Sequence, residues 1–172
     1  NITGGNDTNM LLRPEEPEIT QRINDDKIPT PTRYQSILNR ISSIIDGQLL
    51  DEPNSPQSRA LRWIVYDDDM QLDPKSDNLK QRYILSTFYF STDTNSWSDD
   101  DGWIGDESEC KWKGVTCNQF DAVSELKITA NGISGVIPDE IGELQSLERL
   151  DLWKNAFTGP IPDTIGKLIF LK

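Results

Sequence analysis

The C-terminal third of this 172-residue chain repeats itself at a spacing of 24 residues. Val123, Leu126, Ile128, Asn131, Ile133, Gly135, Ile137, Pro138, Ile141, Gly142 and Leu144 form one copy. Leu147, Leu150, Leu152, Asn155, Phe157, Gly159, Ile161, Pro162, Ile165, Gly166 and Leu168 answer them position for position, and Leu171 stands where a third copy would begin. A fixed period of this size marks a solenoid, in which each copy is one turn of a coil and buries its apolar side only by stacking on the next.

Each copy opens with a short alternating strand. Leu126 and Ile128 point inward, while Glu125, Lys127, Thr129 and Ala130 point outward. In the second copy the outward set is Arg149, Asp151, Trp153 and Lys154. Residues one period apart become lateral neighbours in a parallel sheet, so Glu125 lies beside Arg149 and Lys127 beside Asp151, both of opposite charge. Exposed pairs of this kind contribute only ~0.2–1 kcal/mol and help fix the register. Asn131 and Asn155 stand where the chain leaves the strand, where a side-chain amide can satisfy backbone groups of a neighbouring coil. Gly135 and Gly159 permit backbone conformations closed to residues with a Cβ. Pro138 and Pro162 stop further pairing.

The run Asn131, Gly132, Ile133, Ser134, Gly135, Val136, Ile137, Pro138, its counterpart from Asn155 to Pro162, and the Ile–Gly pair after each resemble the plant-type class of leucine-rich repeats. Upstream, Cys110, Trp112, Gly114, Val115 and Cys117, with Trp97 and Trp103 before them, resemble the N-terminal capping module of the same class. That resemblance implies a Cys110–Cys117 disulfide, whose small ring would contribute ~2–3 kcal/mol. A metal site is a weak rival, because two cysteines with no histidine anywhere cannot make the usual zinc tetrad. The implied fold class is an α/β solenoid: a helical N-terminal region and a disulfide-stapled cap leading into a short right-handed leucine-rich-repeat coil with a parallel sheet.

A disulfide implies an oxidising compartment. The sequons at Asn1 and Asn6 are candidate N-glycosylation sites and agree with a secreted or cell-surface location. The chain opens without Met or a leader and contains no apolar run near ~18 residues. Membrane insertion by this segment is therefore not expected, and any leader or anchor is expected outside it. The net charge of −12 gives no footprint for nucleic acid or an anionic membrane.

Four segments are expected. Residues 1–31 form a polar extended tail, 32–92 a helical region, 93–122 the cysteine and tryptophan cap, and 123–172 two repeats. A first helix is expected over 33–46, with Tyr34, Ile37, Leu38, Ile41, Ile44 and Ile45 on one face, Thr32 capping its start and Gly47 its end. A second starts at Ser55 and Pro56 and buries Ala60, Leu61, Ile64 and Val65. A third runs from Ser76 or Asp77 to about Phe90, using Leu79, Tyr83, Ile84 and Phe88. These helices are expected to pack on the first coil; they lack the Lys/Arg-rich polar face of a membrane-surface helix. The segments Ser55 to Trp63, Asp67 to Asp69, Leu79 to Tyr83 and Thr87 to Phe90 resemble the region before the cap in leucine-rich-repeat proteins of diatoms and related algae. That resemblance spans roughly residues 40–172 and implies a receptor-like or secreted binding protein, although such solenoids normally carry many repeats.

No histidine is present, which removes the commonest general base. The acidic run around Asp99, Asp101, Asp106 and Glu107 fails as a helix–loop–helix calcium loop: Gly102 at the sixth position puts Trp97 first and Ser108 twelfth. An irregular calcium site and a solvated turn between Trp97 and Trp103 both remain open. No catalytic residue, resident metal or cofactor is assigned. The expected partner-binding set is the concave face: Glu125, Lys127, Thr129, Arg149, Asp151, Trp153 and Lys154. Trp153 reads either as an interface anchor or as a ring that is covered by a nearby loop or simply sits exposed. The expected function is a non-catalytic, extracellular recognition module for a protein, peptide or glycan. The rival is a structural subunit of an extracellular filament or larger assembly, self-associating head to tail through the tail and the open last coil. There Leu150, Leu152, Phe157 and Ile161 face outward and Ile169, Phe170 and Leu171 follow.

Overall fold

The structure is a computed structural model that describes residues 31–172, with side chains from Arg33 onward. Apart from Pro31, the tail expected over 1–31 lies outside the described residues, as do both sequons. Helix α1 spans Pro31–Ile41 and buries Ile37 and Ile41 completely. It ends earlier than the apolar spacing suggests. Ser42 turns its hydroxyl onto the Asn39 carbonyl (2.9 Å), a local bond that competes with helix propagation. Tyr34, expected on the buried face, is exposed. Gly47 does not cap α1 but opens a one-turn helix, α2 (Gly47–Leu50), whose cap is Asp46 accepting from Gln48 N at 3.0 Å.

Helix α3 (Pro56–Arg62) starts as its residues dictate: the Ser55 hydroxyl accepts from Ser58 N at 3.0 Å and Pro56 occupies the first helical position. The chain then widens into a π-helical turn over Trp63–Asp67. Helix α4 (Asn78–Phe90) is buried from Leu79, Gln81 and Arg82 through Phe88, on every side rather than along one stripe. It is the central element of the molecule.

Strands β1 (Val115–Cys117), β2 (Val123–Lys127) and β4 (Arg149–Asp151) form one sheet; β3 (Ser134–Gly135) and β5 (Ala156–Phe157) form a second. Between copies the pairing is parallel and in the expected register, with Glu125 opposite Arg149, Leu126 opposite Leu150 and Lys127 opposite Asp151. The larger sheet is mixed rather than purely parallel. Strand β1 from the cap pairs antiparallel with β2, and Thr92 makes an antiparallel bridge to Gly135 at the start of the second sheet. Strand β1 and Thr92 therefore border the first copy in the two sheets with reversed backbone, which an ongoing coil would not match. At the other end Lys172 N donates to Glu148 O at 3.0 Å, repeating one turn later the bond from Glu148 N to Ser124 O (2.8 Å).

The asparagines act as read. Asn155 Oδ1 accepts from Asn131 N (3.0 Å) and Ile133 N (3.2 Å), and its Nδ2 donates to Ile128 O and Leu152 O. Asn131 instead ties the first coil to the cap, accepting from Asp99 N (2.8 Å) and donating to Asp99 O (2.7 Å). After Pro138 and Pro162 the chain makes short 3-10 turns, Asp139–Glu143 and Asp163–Lys167. These turns touch at Gly142, where a Cβ would collide with the Thr164 carbonyl oxygen.

One apolar core runs from Ile37 on α1 to Leu168 in the second copy, so the helices and the repeats fold on each other. Trp97, Trp103 and Trp112 of the cap cluster there with Trp63, Phe88 and Tyr89, ring centroids being 5.0 Å apart for Trp97 and Trp103 and 5.1 Å for Trp103 and Trp112. Cys110 and Cys117 are joined by a disulfide. Replacing both with serine is expected to lower stability by roughly 2–3 kcal/mol, read as a shifted denaturant midpoint. An unchanged midpoint would show that the cap is held without the bridge.

Beneath the tryptophans lies a buried charge network that the sequence did not announce. Arg82 is completely buried, and its guanidinium makes a two-pronged contact with Asp68, Nε to Oδ2 at 2.8 Å and Nη2 to Oδ1 at 2.7 Å. Nη1 reaches Glu109 Oε2 (3.3 Å) and Glu107 O (2.8 Å), and Nη2 also reaches Gly105 O (2.8 Å). All five N–H donors are used. The guanidinium carbon lies 5.0 Å from the ring centroids of both Trp63 and Trp112. Gln81 extends the network: Nε2 donates to Glu109 Oε1 and Asp121 O, and Oε1 accepts from Val123 N (3.0 Å), the first residue of β2.

Candidate ligand-recognition face

The outward side chains of β2 and β4 share one face because paired residues in a sheet point the same way. Thr116 of the antiparallel β1 joins them, so one row reads Thr116, Glu125, Arg149. The next holds Lys127 and Asp151, and beyond β4 the ladder bond from Ala130 N to Trp153 O (2.8 Å) keeps Thr129 and Trp153 in step. All seven residues expected from the sequence lie on this face or the turn that ends it. Thr116 was missed because nothing in the period announces an antiparallel strand outside the repeat.

Trp153 is 66% exposed, so no loop covers it; exposure is common to an interface anchor and to a ring that simply stands in solvent. Its backbone N donates to Asp151 Oδ1 at 3.4 Å. Ala130 and Lys154, one period apart, both take left-handed backbone conformations (φ 52° and 57°), and the turn brings the Lys154 ammonium to 4.5 Å from the Trp153 ring centroid. The register of opposite charges is present, but the ion pairs expected from it are not what the side chains choose. Arg149 reaches along its own strand to Asp151 at 3.5 Å. Contacts across one period appear elsewhere, as Lys167 to Glu143 and Lys172 to Glu148, each at 2.6 Å. Those sites lie beyond the strands, where long side chains from adjacent coils can swing together.

The acidic run forms an exposed turn. Asp99 pairs with Lys113 at 2.9 Å, and that hydrogen bond, with a second from Asp101 N, holds its carboxyl below the usual carboxylate range. Glu107 pairs with Lys111 at 2.7 Å. Among the described residues no three of Asp, Glu, Cys and His gather as a metal-binding group, and no helix is long and apolar enough to cross a membrane.

Residues 146–168 match the Leucine Rich Repeat family model. The chain is 44% identical over 53 residues to "Receptor protein kinase WSS1" of Oryza sativa subsp. japonica, an overlap covering 30% of this chain and 6% of that protein. It is 36% identical over 90 residues to "Receptor-like protein kinase 7" of Arabidopsis thaliana, covering 52% of this chain and 8% of that protein. The chain thus spans less than a tenth of the length of these curated relatives. Among solved structures, the PEPR1–AtPEP1 crystal structure aligns at 34% identity and a TM-score of 0.43, over 55% of this chain and 13% of that one. The BIR2 ectodomain from Arabidopsis thaliana aligns at 24% identity and a TM-score of 0.40, over 56% of this chain and 64% of that one. This chain carries plant-type leucine-rich repeats and, over as much as half its length, is similar to plant receptor-like kinases.

Proposed function

We propose that this segment is the N-terminal part of a non-catalytic, extracellular recognition module of receptor-like type. It binds a protein, peptide or glycan on the sheet face around Trp153. The observation that carries this reading is that large exposed ring on a face whose backbone is fixed by parallel pairing. A ring so placed buries much area on contact at little entropic cost. The disulfide and the receptor-kinase relatives support an extracellular setting, in which Asn1 and Asn6 carry N-glycans. The likeness of the helical region to diatom and algal binding proteins belongs to the same reading.

Panning the folded chain against displayed random peptides and a glycan array tests it. Ligands enriched by the parent chain should bind Trp153→Ala at least tenfold more weakly, while its stability stays within about 0.5 kcal/mol. Equal binding to the variant would move the site off this face. A second reading, assembly through the last coil, is favoured by the exposure of Ile161, Ile169 and Phe170 there. Light scattering of the purified chain separates the two, a monomer at tens of micromolar excluding the assembly.

A further inference from the structure

Glu140 sits in the 3-10 turn of the first repeat and is only 3% exposed, pressed between that turn and the helical layer. Its Oε1 accepts from Gln57 Nε2 on α3 at 2.9 Å. Its Oε2 is buried and has no hydrogen-bond partner. The equivalent residue one period later is Thr164, so the buried acid is a property of the junction and not of the repeat. The groups facing it do not balance a charge. From α3 it meets neutral Gln57; from α4 it meets Tyr83, whose hydroxyl donates to Gln57 O at 3.2 Å. On its own turn lie Asp139, exposed, and Glu143, which is tied to Lys167 of the following turn. Asp163 and Thr164 complete that following turn, and the Thr164 hydroxyl donates to Asp139 O.

We infer that Glu140 is a proton-operated clamp between the helical layer and the first repeat, closed when its carboxyl carries a proton and loosened when it does not. Among the described residues an ionised carboxylate here meets no cation and has only the bonds from Gln57 and its own backbone N–H, with Oε2 lacking a partner, which is the costly state. The neutral acid keeps the Gln57 bond and sheds the desolvation penalty. Burial accordingly pushes the Glu140 carboxyl above the usual range and Asp139 adds to the rise, while the bonds from Gln57 and its own backbone N–H oppose it. The phenol of Tyr83 is pushed up as well, chiefly by burial and further by Glu140. A folded-state acid raised in this way stabilises the fold fully below its unfolded titration point. That stability is lost as pH rises through the folded one. The junction is therefore tightest in mildly acidic surroundings.

Two measurements on the whole chain test the clamp. Selective 13C labelling of glutamate carboxyls, with Glu140→Gln identifying the resonance, should show the Glu140 signal titrating above the other glutamates. A midpoint at or below theirs would overturn the inference. Melting of Glu140→Gln and of the parent at pH 4.5 and pH 7.5 gives the second readout. The variant should gain on the order of a few °C at pH 7.5, with the gain vanishing at pH 4.5. An equal effect at both pH values would reduce Glu140 to an ordinary packing residue.

Discussion

Arg82→Met is expected to destabilise the chain by roughly 3–5 kcal/mol, because it leaves two buried carboxylates without their cation. Asp68 and Glu109 are each only 1% exposed, and the lost guanidinium also supplies donors to the Glu107 and Gly105 carbonyls. In a chain of this size that corresponds to a fall in melting temperature of roughly 6–20 °C. The cause is separable from lost packing. Adding Asp68→Asn and Glu109→Gln to Arg82→Met removes the stranded charges and should restore a large part of the loss, since a buried ion pair adds little net stability over neutral groups of similar size. If the triple variant is no more stable than Arg82→Met alone, the charges are not the source of the loss. Amide exchange should rise at Val123, which is bonded to Gln81 beside Arg82, before it rises in β4.

Phe88→Ala is the second large effect, expected at roughly 3–5 kcal/mol. Phe88 is fully buried on α4, and its ring lies 6.2 Å from Trp97, 6.0 Å from Trp103 and 6.0 Å from Phe157. It therefore touches the cap and the second repeat from the central helix. Three consequences follow from one truncation: lower global stability, altered tryptophan fluorescence, and faster amide exchange along β3 and β5. Global loss without a change at β5 would mean that the second repeat holds itself, contrary to the single core.

The repeat was legible because its physics is local and periodic. Leu126 and Leu150 recur at one spacing, and burying that stripe leaves a single register for the strands. The asparagines and glycines could be read for the same reason: each answers a backbone need that recurs at every turn of the coil. The cap disulfide followed from a short motif. Helix ends were legible where a cap residue stands in the chain, as at Ser55, and misread where an apolar stripe ran on past Ser42 and Ser43. On the sheet face that carries Trp153, the seven residues came from alternation alone, while Thr116 needed the fold to bring β1 alongside.

The charged residues of the helical region were the opposite case. Arg82, Asp68 and Glu109 lie far apart along the chain and have the composition of a solvated surface, yet they meet in the interior. Glu140 likewise looks like an ordinary acid on the outer side of a coil until α3 covers it. What the amino-acid order determined by itself was the coil: its period, its inward stripe, its asparagine bonds and the face that carries Trp153. What only the tertiary structure decided was which charges are buried and whom they meet. The reason is that periodicity is written between neighbours in sequence, whereas desolvation depends on which distant element comes to rest above a side chain.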